Sequence, residues 1–479
     1  MDEVTDSVIS GAEGATQRAG EPAAVQAQVK ATLFDLPERP AAEAEPRASG
    51  KPRLRIAERE QVIMRTLSLD QMLPCDDEAR VVWDFVCQSD LSPLLAEIRA
   101  VEGHVGRNAT DPRILYCLWL FATLKGVGSA RELDRLCERH LSYQWICGEV
   151  SVNYHLLADF RVQHGAALNQ LFTEQVAALM HAGAVTLERV AQDGVRVRAA
   201  AGQSSFRRAA TLEECLAEAQ QRVAELQREL EQDPAALSRR EKAARQRAAR
   251  ERLERVKAAR EACAEVQAAK EKRGGDSLKN AARASTTDPD ARNMKMANGG
   301  YNPAYNVQFS TDTGSQVIVG VDATNQGTDG RQLVPMVEQI EQRTGIRPPE
   351  VLVDGGFATT DGIQQINDPQ QGTKVYTPVK AEEKQRQRGE DPFAPRRGES
   401  PELTEWRTRM GTAEAKVIYK DRASTAECVN ALARQRGLQQ FRVRGLAKVC
   451  TVAILFALAH NLRRWGTLRA EGTLKVKGQ

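Results

Sequence analysis

Residues 351–356 read Val351-Leu352-Val353-Asp354-Gly355-Gly356, and residues 186–195 read Thr186-Leu187-Glu188-Arg189-Val190-Ala191-Gln192-Asp193-Gly194-Val195. Each is a short apolar run that meets an aspartate followed by glycine. Runs of this length bounded by turn residues are the pattern of short strands, and both are expected to end at the aspartate. Carboxylates at the ends of neighbouring strands project toward a common edge. A glycine beside each lets a bulky ligand approach the backbone. Asp-Gly at a strand end is also ordinary turn chemistry, so neither aspartate alone marks a reactive site.

Outward from these two runs the pattern alternates. Tyr305 to Thr311 and Gln316 to Ala323 are β-branched stretches separated by the turn Asp312-Thr313-Gly314. A helix is expected from Gly330 to Thr344, another from Asp361 to Asn367, and a strand from Lys374 to Pro378. Residues 381–410 are polar and contain prolines, and are read as a mobile loop. Two helices are expected between Thr425 and Trp465. Between the first strand and the hairpin lies a different composition. Residues 211–273 are dominated by Ala, Glu, Arg, Gln and Leu, with Leu212, Leu216, Ala219, Val223, Leu226 and Leu230 spaced as a coiled-coil seam. Thr211 with Glu214 is expected to cap this run, and Asp233-Pro234 to break it. An antiparallel helical hairpin inserted into a larger domain follows. Without the insertion, the order of strands and helices predicts an α/β fold, a mixed sheet with helices on both faces.

Upstream, residues 51–165 read as helical. Asp111-Pro112 offers an N-cap and a first-turn proline, Ser129 to Glu132 fits a capping box, and Tyr154 to Val162 continues the pattern. Short helices joined by glycine turns resemble a helix-turn-helix module, a pattern shared with ordinary bundles. Residues 1–50 are rich in Ala, Glu, Pro and Gly and are expected to be disordered, with Leu33-Phe34-Asp35-Leu36 as a short docking motif. Lys51, Arg53, Arg55, Arg59 and Arg65 make either a solvated linker or a phosphate-tracking arm. The expected division is 1–50, then a helical domain 51–165. The two parts of the catalytic domain are 166–206 and 298–465, around a hairpin and linker 207–297, and the tail is 466–479.

The 479 residues carry a net charge of +3 and 27% charged side chains, which neither demands nor excludes a nucleic-acid partner. Nine cysteines without a CxxC pair, and six histidines apart from them, do not make a zinc site. Met1 is followed by acidic residues rather than a basic and apolar leader. Val449 to Ala459 is too short to span a bilayer and reads as a buried core helix.

The decisive stretch for chemistry is Tyr419 to Gly437, with Tyr419, Arg422, Glu427 and Arg434. Glu427 and Arg434, seven apart, share one helix face. Tyr-x2-Arg, then Glu, then x6 and a basic residue resembles the signature of insertion-sequence transposases with an Asp-Asp-Glu (DDE) triad on a ribonuclease-H-like fold. Thr287 to Arg292, Gly299 to Gln308, Val317 to Gln326, Arg444 to Val449 and Ala459 to Leu462 are similar to further segments of that family. Asp111 to Arg161 resembles the helical domain that precedes its core, and the likeness covers roughly residues 30–465. The Arg422-to-Glu427 interval is one residue longer than the commonest version. Arg434 stands for a lysine, and Cys428 and Asn430 replace an expected proline and aromatic.

The resemblance implies a transposase. Asp193, Asp354 and Glu427 would be the catalytic carboxylates holding two Mg²⁺ or Mn²⁺ ions. The reactions would be hydrolysis at a transposon end, then attack of the freed 3′-hydroxyl on target DNA. Arg422 and Arg434 would bind phosphates, and Tyr419 would position the strand. The implied partners are transposon-end DNA, target DNA and a second copy of the chain in a homodimer, in the cytoplasm and with no membrane. The competing expectations are a DNA-binding relative that has lost catalysis and a coiled-coil assembly scaffold. Asp322 is read as a turn residue and His460 as a core histidine.

Overall fold

The computed structural model describes residues 66–472 apart from 102, 105–106, 233–237, 276–279 and 371, together with 60, 62 and 64. All its helices and strands lie in the unit that begins at Thr66. The expected disordered segment, the Leu33–Leu36 motif and most of the basic stretch 51–65 lie outside the described residues, as do the Asp233-Pro234 break and residues 473–479.

Six strands form the central mixed sheet. They are β1 (Arg189–Arg198), β4 (Arg292–Lys295), β5 (Tyr301–Asp312), β6 (Ile318–Thr324), β7 (Glu350–Leu352) and β8 (Lys374–Tyr376), while β2 (Phe206–Arg207) and β3 (Ala284–Ser285) pair with each other. The long strand β5 is the spine. Its residues from Pro303 to Asp312 are all buried, the mark of a strand covered on both faces. One edge of β5 pairs antiparallel with β1, from Val190↔Asp312 to Arg198↔Ala304. The other edge takes β4 and then β6, also antiparallel. On its far side β1 runs parallel to β7, which is parallel to β8.

β1 does not end at Asp193, as its apolar run suggests. It continues to Arg198 because β5 keeps pairing with it. β7 stops opposite Ala191, so the second half of β1 has no strand on that side. Segment 439–441 fills part of this gap. Arg198 N–H donates to Gln439 O, and Phe441 N–H donates to Arg198 O.

Eight helices precede β1: α1 (Leu69–Met72), α2 (Glu78–Gln88), α3 (Ser92–Leu95), α4 (Pro112–Leu124), α5 (Ala130–Arg139), α6 (Leu141–Cys147), α7 (Tyr154–Gln163) and α8 (Gly165–His181). Asp111 and Ser129 cap α4 and α5 through their side chains, as expected, and Asn153 caps α7 in the same way. Every residue of α4 except Arg113 is buried. Its apolar surface shares one core with α8, the sheet and the C-terminal helix.

The insertion is α9 (Ala209–Gln232) and α10 (Arg239–Arg273). The ion pairs Arg260–Glu213 and Arg252–Glu218 run in opposite sequence directions, so the helices are antiparallel. Leu212, Ala259, Ala262 and Cys263 make their own small core against Ala282 and Ala284. The helix begins at Ala209, ahead of the expected Thr211 cap.

After β6 come α11 (Leu333–Thr344), α12 (Thr360–Ile366), α13 (Glu382–Gln387), α14 (Pro401–Met410), α15 (Ala413–Arg422), α16 (Cys428–Gln435) and α17 (Leu446–Ala470). Residues 381–410, read as a mobile loop, in fact hold two helices. Ser400 caps α14, Pro401 sits in its first turn, and Leu403, Trp406 and Met410 are buried. Arg407 is buried in an ion pair with Glu399. The polar composition concealed an apolar stripe of period three to four.

α17 is long and apolar enough to cross a membrane by length and composition alone. It packs instead on α4, α8 and β6. Asn461 clamps it to β6, accepting from Ile318 N–H and donating to Ile318 O, both at 2.8 Å. The helix runs to Ala470, so its last turn lies beyond the expected start of the tail at 466. The architecture is mixed α/β, consistent with a ribonuclease-H-like core.

Candidate active site

The register of the parallel pair β1/β7 sets two carboxylates near each other. Ala191 stands opposite Leu352, and Asp193 and Asp354 each lie two residues further along. Asp354 is in the turn that leaves β7. Its Oδ1 accepts from Gly356 N–H at 2.7 Å, and its carbonyl accepts from the Thr377 hydroxyl at 2.9 Å. Asp193 lies mid-strand on the face shared with Val195. Its Oδ1 accepts from Gly194 N–H at 2.9 Å, and its Oδ2 accepts from Asn430 Nδ2 at 3.1 Å. Burial pushes the Asp193 carboxyl up to about 6. Arg422 pulls it down, but the negative charges of Asp354 and Asp329 push further up.

The third carboxylate arrives on a helix with a defect. α15 and α16 are joined through a single π-type turn, Ala423–Glu427. On a regular α-helix, residues five apart would stand roughly 140° apart around the axis. The i→i+5 turn brings them onto one face instead. Arg422 thereby reaches both sides: Nη2 donates to Glu427 Oε1 at 2.7 Å, and Nη1 lies 3.7 Å from Asp193 Oδ2. The extra residue in the Arg422-to-Glu427 interval is absorbed in this turn.

Tyr419 sits inside α15, whose start at Ala413 lies further upstream than the sequence suggests. Its ring lies 5.9 Å from the Arg422 guanidinium. Burial raises its hydroxyl above the usual tyrosine range, and Arg422 opposes this. Arg434 is exposed on the last turn of α16 and makes no ion pair among the described residues. It is not drawn toward Asp193, and Glu427 is linked to Asp193 only through Arg422.

On the opposite face of β1, Gly194 looks onto a polar layer that sequence reading missed. Asp329 Oδ1 accepts from Asn306 Nδ2 at 2.6 Å and Gln308 Nε2 at 2.7 Å. Gln192 Nε2 donates to Gln308 Oε1 and to Gln332 O. A Cβ on Gly194 would meet Asp329 Oδ1 at 2.5 Å. The space that Gly194 leaves, on the strand face away from the Asp193 side chain, is therefore filled by the chain's own side chains, whereas Gly355 beside Asp354 is open. The alternating polar residues Asn306, Gln308 and Ser310 within the buried strand β5 were the available signal.

Two other expectations can be placed. Asp322 is not in a turn but inside β6, with its carboxyl raised by burial. His460 is buried, its Nε2 lies 2.9 Å from Gln316 O, and burial lowers its pKa to about 4, so it is a neutral core residue.

The donor set suits a hard divalent cation in part. Asp193 and Asp354 are carboxylates crowded by like charge, and the Asn430 Oδ1 beside them is buried without a partner. Glu427 is turned to Arg422 instead. Among the described residues, no three Asp, Glu, His or Cys side chains stand together as a ligand group.

Comparison with protein families decides the matter. A family described as Transposase DDE domain matches residues 281–462, and one described as Transposase domain (DUF772) matches residues 67–163. The chain belongs to the insertion-sequence DDE transposases. No curated protein and no solved structure matches it. As a DDE transposase it acts on DNA, in a family that works with divalent metal ions. The DDE match contains Asp354, Arg422 and Glu427, whereas Asp193 lies between the two matched stretches.

Proposed function

We propose that this transposase cleaves phosphodiesters at transposon ends and joins the freed 3′-hydroxyl to target DNA, with Asp193, Asp354 and Glu427 as its catalytic carboxylates. The observation that carries the reading is a meeting of distant segments. Asp193 is coupled by charge to Asp354 and linked through Arg422 to Glu427. These three side chains would hold two ions of Mg²⁺ or Mn²⁺, which when bound make a water more acidic and offset charge on the leaving oxygen.

Asn430, donating to Asp193 Oδ2, fixes that carboxylate's rotamer. Arg422 is the counter-charge for Asp193 and Glu427 and exchanges them for a DNA phosphate when the end is bound. Tyr419, packed beside Arg422, positions the cleaved strand, and Arg434 binds a neighbouring phosphate. No serine or tyrosine nucleophile is required. Synapsis of two ends assigns the active form to a homodimer, working in the cytoplasm on nucleoid DNA.

The test is nicking of a duplex carrying the element's end, with Mg²⁺, by the parent and by Asp193→Asn, Asp354→Asn and Glu427→Gln. Metal-dependent nicking in the parent, reduced at least a hundredfold in each variant, is expected. A variant that nicks like the parent removes that residue from the triad.

A further inference from the structure

A second site lies away from the carboxylates. Between the turn joining α4 to α5 and the segment 436–442 after α16 is a cavity of about 30 Å³. Trp119, Leu438 and Phe441 form apolar walls, and Arg161, Arg436 and Arg442 also line it. Since 10–15 Å³ of such space holds about one water, it takes roughly two waters or one tetrahedral oxyanion. The two walls touch through backbone. Gly126 and Gly437 have φ of +75° and +88°, and a Cβ on Gly126 would lie 3.5 Å from Arg436 O.

Arg161 is only 5% exposed. Its guanidinium lies 4.2 Å above the Trp119 ring and makes one hydrogen bond, Nη1 to Gly128 O at 2.7 Å. Its Nε is buried with no partner, and it has no ion pair among the described residues. Arg343, half-buried and stacked on Phe172, likewise leaves its Nε without a partner, but it makes three hydrogen bonds to Asn169 and Thr173 where Arg161 makes one. Arg442 passes beside Gly128, its Cγ 3.9 Å from where a Cβ would stand. Arg436 is half-buried without an ion pair among the described residues. Arg463 repels it, and Glu78, the carboxylate acting on it, is already bound to Lys125. A buried cation is costly unless paired, and buried Arg161 shares the lining of this cavity with half-buried Arg436 and exposed Arg442 and with no carboxylate.

We propose that this cavity is a phosphate-binding site, in which Arg161, Arg436 and Arg442 grip one phosphate between the N-terminal helices and the catalytic part of the chain. A backbone phosphate of bound DNA and free inorganic phosphate share this chemistry. Arginine forks match phosphate oxygens, and the apolar walls strengthen the attraction. Only the choice of DNA as the source rests on the proposed function. The site joins the two family-matched stretches, so DNA held there orients the helical domain on the catalytic one.

The test compares the full chain with the double variant Arg436→Gln/Arg442→Gln. In a melt, about 10 mM inorganic phosphate should raise the parent's midpoint by roughly 2–4 °C over chloride of equal ionic strength, and the variant's not at all. No phosphate shift in the parent, or an equal shift in both proteins, overturns the site. This arm involves neither DNA nor catalysis, so its failure leaves the triad reading intact. In a second arm, binding to a duplex of about 30 base pairs is followed against salt. A salt slope shallower by about 1 in the variant, with affinity down about tenfold, supports the site and assigns it to DNA. An unchanged slope with the phosphate shift lost supports the site and assigns it to free phosphate. Should the variant fail to fold, protection of Arg161, Arg436 and Arg442 from phenylglyoxal by phosphate in the parent decides: protection supports the site, and its absence overturns it.

Discussion

Gly194→Ala tests the packing beneath Asp193. Gly194 has no positive φ, so alanine fits its backbone, and the stiffer unfolded chain favours the variant by about 0.4–1 kcal/mol. Against this stands the new Cβ, 2.5 Å from Asp329 Oδ1 and Gln308 Nε2 and 2.7 Å from Asn306 Oδ1. None of these atoms is the free end of a flexible side chain. Gln308 and Asn306 are buried and both donate to Asp329. Moving them breaks at least one hydrogen bond to a carboxylate, about 1.5–3 kcal/mol. Overpacking adds about 1–3 kcal/mol where the neighbours cannot move. The net expectation is a loss of about 2–4 kcal/mol. Gly355→Ala is the matched control, because nothing lies within 4 Å of its added Cβ and its φ is not positive. That variant should stay within about 0.5 kcal/mol of the parent or gain slightly. Urea unfolding of the three proteins without metal supplies the comparison. A Gly194→Ala protein as stable as Gly355→Ala would refute the polar layer as described.

Burial pushes the Asp193 carboxyl up to about 6 from its ordinary 3.8, so its ionisation destabilises the folded state. That penalty is complete above pH 6 and vanishes as pH falls toward 3.8. Metal-free Asp193→Asn should therefore be more stable than the parent by about 2–3 kcal/mol at pH 7.5, the gap closing by about pH 4; a gap independent of pH would contradict the assignment. Asp288, fully buried, accepts from the Tyr305 hydroxyl at 2.7 Å and from Gly445 N–H at 3.1 Å, which anchors the start of α17. Asp288→Ala should cost about 2–4 kcal/mol and speed hydrogen exchange in the first turn of α17; unchanged exchange there would show that the anchor is dispensable.

What the sequence made legible follows from where local chemistry and tertiary packing agree. Asp111 and Ser129 stop the chain from extending their helices backward, and α4 and α5 begin where those residue types predict. The hairpin at 305–323 was readable because β-branched residues flank a turn, although Gln316 belongs to the turn with φ of +59°. The extent of β1 was not readable: its second half is held by β5 and by segment 439–441, both far away in the chain. The two aspartates were visible as strand-associated carboxylates, but Asp329 reaches Gly194 only through the fold. The one-residue excess between Arg422 and Glu427 was visible as spacing. Its meaning, a π-type turn that keeps the two side chains together, depends on backbone hydrogen bonding that no residue pattern encodes.

The most direct measurement replaces the divalent cation with Fe²⁺ and maps where the chain is cut. With ascorbate and peroxide, iron held by all three carboxylates breaks the nearby backbone. Cuts are expected around residues 193, 354 and 427 in the same protein, all suppressed by excess Mg²⁺ and all lost in Asp193→Asn. Cutting at one of these positions without the others, or a pattern that Mg²⁺ does not affect, would contradict a shared cation centre.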